Sequence, residues 1–186
     1  MKRMKLRDVM TDRLKEVHDF ATRAHDGQTT IGSNKHFMLH LASCAEIGAH
    51  QGLTETQLMA TLLKDTLKLT EVRLDQVKNR FGIQVSELVK SLSMDQEWTQ
   101  ITDISVVMIK IAEQIDLLGR LDSARLGLEY KCGVLADARR LLTDVKPLAQ
   151  ALSLIDPDLS ILDILDELQV EYDKALEVVD VEEEVV

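Results

Sequence analysis

Apolar residues recur along this chain at spacings of three and four, the pattern of helices that bury one face. From 6 to 25 the stripe is Leu6, Val9, Met10, Leu14, Val17, Phe20, Ala21 and Ala24. The segment GQTTIGSNK (27–35) breaks it with two glycines and small polar residues, and reads as a loop. A second helix fits Phe37 to about His50 and ends at Gly52. Thr54 with Gln57 has the form of a capping box and opens a third helix carrying Leu58, Met59, Leu62, Leu63 and Leu67. Thr70 reads as the N-cap of a short helix with Val72, Leu74 and Val77, stopped near Gly82. Helical spacing resumes from Ile83 to Leu92. The polar stretch 93–103 reads as a flexible connection, and a long helix follows from Ile104 to Arg120. Another spans about Leu126 to Leu154, with a bend expected before Pro147. Asp156–Pro157 reads as N-cap and first residue of a last helix, Leu159 to about Val179. The remainder, 180–186, is acidic and reads as a frayed tail. The expectation is all-α: one helical bundle of about seven to nine helices over 1–179, its C-terminal helices at 126–179.

Composition sharpens this. The chain has 186 residues, one domain's worth, and 2 prolines with 3% aromatics leave too little turn punctuation for a β-sandwich. Lys and Arg number 22 against 32 Asp and Glu, so the net charge is −10. That argues against nucleic-acid or anionic-membrane binding, both of which want a basic face. Only the first fifteen residues run the other way. No apolar run approaches the roughly 20 residues of a membrane span, and MKRMKLRDVM lacks the apolar stretch of an export signal. The expected location is cytoplasmic. Cys44 and Cys132 are too few for a disulfide framework and read as two buried free thiols. Leu159, Leu162, Leu165, Leu168 and Tyr172 form a stripe that either enters the core or serves a homodimer.

All five histidines fall between 18 and 50. His36 and His40, four apart, share a helix face at a spacing that can bind a metal. For His18, His25 and His50 a structural role is the plainer reading. Taken in order, FATRAHDGQ (20–28), KHFMLH (35–40), LMATLLKDTLKLT (58–70), NRFGIQVSELVKSL (79–92) and KIAEQIDLLGRL (110–121) resemble the hydrolase domain of RelA/SpoT-type proteins. These are all-helical HD-superfamily enzymes that use manganese to remove the 3′-pyrophosphate of (p)ppGpp, and the small stand-alone forms have about this length. The resemblance spans roughly 14–121.

Carried over residue by residue, the resemblance implies a metal site with substitutions. The first histidine ligand falls on His40. The His-Asp pair falls on Lys64 and Asp65, so the aspartate stays and the histidine is lysine. The last aspartate falls on Glu113. The acid pair that handles water and proton transfer falls on Lys68 and Leu69. The basic residues that grip phosphates after Gly27-Gln28 are replaced by Thr29 and Thr30, and a Tyr-Asn pair becomes Asp116 and Leu117.

An ammonium has no lone pair for a metal, and at that position it repels one. Without carboxylates at 68 and 69, no obvious group prepares the attacking water. The expected arrangement is a Lys64 ammonium bonded to Asp65 or Glu113, with His40 nearby and no resident cofactor. Three functions follow from these residues. One is a non-catalytic homologue that binds a nucleotide, a small anion (at Lys64 and Lys68) or a partner. Another is a divergent, active metal-dependent phosphohydrolase using Mn2+ on His40, Asp65, Glu113 and His36. The third is a helical scaffold.

Overall fold

The structure, a computed structural model, describes residues 5–94, 103–154 and 161–185. Among these it is built of helices: a 3-10 turn at Leu6–Asp8, then α1 (Asp12–Ala24), α2 (Met38–His50), α3 (Glu55–Leu63), α4 (Thr66–Leu69), α5 (Leu74–Phe81), α6 (Ile83–Leu92), α7 (Ile104–Leu118), α8 (Leu128–Ser153) and α9 (Ile161–Val185). The only bridge among the described residues joins Thr29 to His36 across the 27–35 loop.

α3 is the centre of the bundle. The Thr54 hydroxyl accepts the Gln57 backbone N–H while the Gln57 carboxamide accepts from Thr54 N at 2.7 Å, closing the capping box. From Leu58 to Leu63 every side chain of α3 is buried, because α1, α2 and α6 pack around it. Gly48 lets Leu53 fold back onto α2 at the turn into α3: a Cβ there would lie 2.4 Å from Leu53 Cδ1, and that side chain would have to shift. Gly82, at φ +95°, breaks the chain between α5 and α6 in a conformation that L side chains rarely adopt. α7 lies across α2, and α9 covers α7 and α8. The core is one continuous apolar cluster running from Leu6 to Val179.

Several sequence expectations shift. The first stripe is two elements, since Thr11 caps α1 by accepting from Leu14 N at 3.1 Å. Thr70 ends α4 rather than opening α5; its hydroxyl donates back to Thr66 O at 2.7 Å. α8 continues as one helix through Pro147, and α9 stays helical through Val185, past the expected end at Val179. Cys44 is buried as expected, but Cys132 is exposed because its face of α8 points outward. Leu165 and Leu168 are buried, and Leu162 and Tyr172 pack against the core beneath them, so that stripe serves the interior of the bundle. No helix among the described residues is long and apolar enough to cross a membrane. The centre of the polar connection (95–102) and the Asp156–Pro157 helix start with Leu159 lie outside the described residues.

Candidate functional site

The bundle brings four of the candidate residues to one point. His40 comes from α2, Lys64 and Asp65 from the break between α3 and α4, and Glu113 from α7. The break is what aims Lys64 inward. It sits at the C-terminal end of α3, and only 3% of it is exposed. Its ammonium donates to Asp65 Oδ2 at 2.6 Å and to Glu113 Oε1 at 2.5 Å. Burial works against a charged lysine, but the Glu113 and Asp65 carboxylates outweigh it and hold the amine well above the usual lysine range. Glu113 shows the converse: burial favours its acid form, while Lys64 and His40 pull it well below the carboxylate range.

His40 has a partner that the sequence did not reveal. Its Nδ1 lies 2.6 Å from Asp116 Oδ2, and its Nε2 lies 3.8 Å from Glu113 Oε1. Asp116 in turn accepts from the Arg120 guanidinium at 2.8 Å and 3.0 Å. Burial lowers the basicity of the imidazole, yet the Cys44 sulfur and the Asp116 and Glu113 carboxylates outweigh burial and raise its pKa to about 11. Burial likewise favours the acid form of Asp116, but His40 and Arg120 hold its carboxyl below the usual value. Cys44, one turn after His40, places its sulfur 3.7 Å from Nδ1, and burial pushes its thiol above the ordinary value.

The sum of charges is instructive. Lys64, His40 and Arg120 face Asp65, Glu113 and Asp116, three positive against three negative. The cluster is neutral as it stands. His40, Asp65 and Glu113 each bring one ligand atom within 4.8 Å of the others, the set that could hold a divalent cation, as could His40, Cys44 and Asp116. The first set does not fit an ion in this arrangement. Lys64 Nζ already bonds both carboxylates, and an added dication would raise a neutral buried cluster to +2. The protons on Lys64 and His40 supply the two positive charges that a metal would bring.

The remaining candidates lie apart. His36 accepts from Met38 N at 3.1 Å and belongs to neither ligand set. Lys68 is exposed on α4 while Lys64 is buried, because α3 ends between them and the i, i+4 register is lost. Leu69 is 49% exposed. His25 is buried, with Nδ1 2.8 Å from Gln28 Oε1, and Gln28 donates to Leu69 O at 2.7 Å. These bonds pin the 27–35 loop to α4, a structural role. Thr30 lines the cleft, as do Phe37, Leu69, Leu117, Leu126 and Tyr130 around the His40, Asp65 and Glu113 side chains, enclosing about 250 Å³.

The linkage gives a pH profile. Asp116, depressed in the fold, adds stability above its ordinary 3.8 that is lost as pH falls through its folded value. His40, raised in the fold, adds stability that is complete below 6.5 and lost as pH rises through its folded value. Resistance to urea is therefore greatest between these limits and declines on the alkaline side. Asp116→Asn flattens that alkaline decline. A variant as steep as the native chain between pH 6.5 and 9 contradicts the assignment.

Against known proteins, residues 18–100 match the HD-domain family model. The chain is 29% identical over 160 residues to the bifunctional (p)ppGpp synthase/hydrolase SpoT of Escherichia coli (strain K12), covering 76% of this chain and 22% of that protein. It is 36% identical over 86 residues to the guanosine-3′,5′-bis(diphosphate) 3′-pyrophosphohydrolase MESH1 of Homo sapiens, 45% of this chain and 48% of that one. It thus spans about a fifth of the first and about half of the second. A solved structure described as "A metazoan ortholog of SpoT hydrolyzes ppGpp and plays a role in starvation responses" superposes with a TM-score of 0.66 at 18% identity, covering 90% of this chain and 96% of that one. At that identity the likeness is one of fold.

Proposed function

Because the chain is an HD-domain protein homologous to the SpoT- and MESH1-type (p)ppGpp hydrolases, we propose that it is a non-catalytic member of that lineage which binds a nucleotide or small anion without cleaving it. The observation that carries this is the Lys64 ammonium on both Asp65 and Glu113. A metal ion needs those oxygens, and the lysine holds them. Two further losses support the reading. Lys68 and Leu69 stand on the exposed face of α4, where the resemblance calls for the acid pair. Thr30 faces the cleft where it calls for a phosphate-gripping base. One change of this kind is open to compensation; three on the same reaction remove the ion, the proton transfer and the substrate grip together.

A second reading, an active phosphohydrolase, draws on the ligand set of His40, Asp65 and Glu113. It requires Lys64 to leave its two carboxylates or to lose a proton that they hold firmly. The test is pyrophosphate release from ppGpp with excess Mn2+ at pH 7–8. The expected rate equals the protein-free blank. Multiple turnovers, abolished by chelation, overturn the proposal in favour of the second reading.

A further inference from the structure

In a chain whose net charge is −10, a basic patch on the surface is unexpected. Loops 31–35 and 119–125 line a cavity of about 680 Å³ that carries Lys35, Arg120 and Arg125 against a single acid, Asp122. Arg120 is committed to Asp116. Lys35 and Arg125 are exposed, and neither forms an ion pair among the described residues. Ile31 and Leu39 line the same cavity and are 69% and 54% exposed. The two loops are pinned to each other. Ser123 Oγ donates to Gly32 O at 3.2 Å, and Leu126 packs so closely on Gly32 that a Cβ there would lie 2.4 Å from Leu126 Cδ2. The patch is therefore basic, apolar and preformed.

A segment of opposite character belongs to the same chain. Residues 178–186, VVDVEEEVV, set the acids Asp180, Glu182, Glu183 and Glu184 among valines. α9 is helical through Val185, so this segment continues along the helix axis at about 1.5 Å per residue and does not turn back onto its own Lys35 and Arg125. Its point of departure matters. Gly119 and Asp122, which line the basic cavity, also line a groove with Glu171, Lys174, Ala175 and Val178 of α9. The acidic segment and the basic patch therefore stand side by side at one end of the bundle.

From this placement we infer that the patch docks a second copy of this chain, with residues 180–186 of each copy lying on the Lys35–Arg125 patch of the other. The acids meet the two unpaired cations, and the valines meet Ile31 and Leu39. Because segment and patch are neighbours, a two-fold axis at this end of the bundle makes both contacts at once and closes a dimer; contacts at opposite ends would build an open chain of copies. Two short segments cover less than the roughly 1,600 Å² of a standard interface, so the association is weak and reversible. The inference does not depend on the non-catalytic reading, since the patch lies outside the cluster of His40, Lys64, Asp65 and Glu113.

The experiment is sedimentation equilibrium of the intact chain at micromolar concentrations in about 0.15 M NaCl, where charges more than about 8 Å apart are screened and those in contact are not. The native chain is expected to dimerise. Reversing the patch, in Lys35→Glu/Arg125→Glu, weakens the dimer at least tenfold, and so does reversing the segment, in Glu182→Lys/Glu183→Lys/Glu184→Lys. Mixed in equal amounts, the two variants form a heterodimer, because each now presents the charge that the other lacks. Circular dichroism shows that each variant is folded, and the patch variant alters only two exposed side chains, so its result stands whatever the segment variant does. A monomeric native chain means that the patch serves another occupant, and a dimer that survives the patch reversal is held by another face. Either result overturns the inference, as does a mixture of folded variants that stays monomeric.

Discussion

Replacing Lys64 by methionine lowers the folding stability by about 3–5 kcal/mol, the range for removing one partner of a buried ion pair. For a domain of this size each kcal/mol moves the melting temperature by roughly 2–4 °C, so the midpoint drops by on the order of 10 °C. The reason lies in what remains. Asp65 and Glu113 are mostly buried, and without the ammonium they face each other as unpaired acids beside a single imidazolium. Urea unfolding at pH 7 in the presence of EDTA measures the loss. Adding Glu113→Gln to the methionine variant removes one acid and recovers part of the stability. Mn2+ also restores stability to Lys64→Met, because the variant leaves both carboxylates free, while the native chain shows no response. A methionine variant as stable as the native chain means that Lys64 is a bystander.

Lys64→His has the complementary effect on chemistry. It puts a ligand with a lone pair where the ammonium stood, next to Asp65, and metal affinity rises by tenfold or more. Hydrolysis of ppGpp stays at background, since Lys68 and Leu69 cannot orient or deprotonate water. Restoring carboxylates as well, in Lys64→His/Lys68→Glu/Leu69→Asp, raises pyrophosphate release at least 100-fold over the single variant, the low end of the 10²–10⁴-fold attributed to a positioned acid or base. Brisk turnover by Lys64→His alone shows that the catalytic groups lie elsewhere.

The helices were legible because their apolar stripes and caps are local features. The Thr54–Gln57 box is where the sequence put it, and Leu58 to Leu63 are buried to the last side chain. Elements that depend on distant packing were not legible. Whether Thr70 opens one helix or closes another turns on where α4 ends. The exposure of Cys132 depends on how α8 is rotated against the core.

At the site, the resemblance located His40, Lys64, Asp65 and Glu113, and charge arithmetic anticipated a cation between the acids. The partnership of His40 with Asp116 and Arg120 was missed, although a signal was present. Glu113 and Asp116 stand at i and i+3 on α7, and Arg120 follows two residues past its end, a charged stripe on a mostly apolar helix. Such a stripe is costly to bury unless it meets opposite charges, and α2 provides His40. Lys64 and Lys68 misled for the opposite reason: their spacing implies a shared face only if one helix continues through both, and it does not.

The most direct measurement is the metal content of the native chain after incubation with Mn2+, read by anomalous scattering in a crystal at pH 7. The account predicts no anomalous peak between His40, Asp65 and Glu113, and an unbroken Lys64 ammonium contact to both carboxylates. A fully occupied ion on those three side chains, with Lys64 turned away, contradicts it.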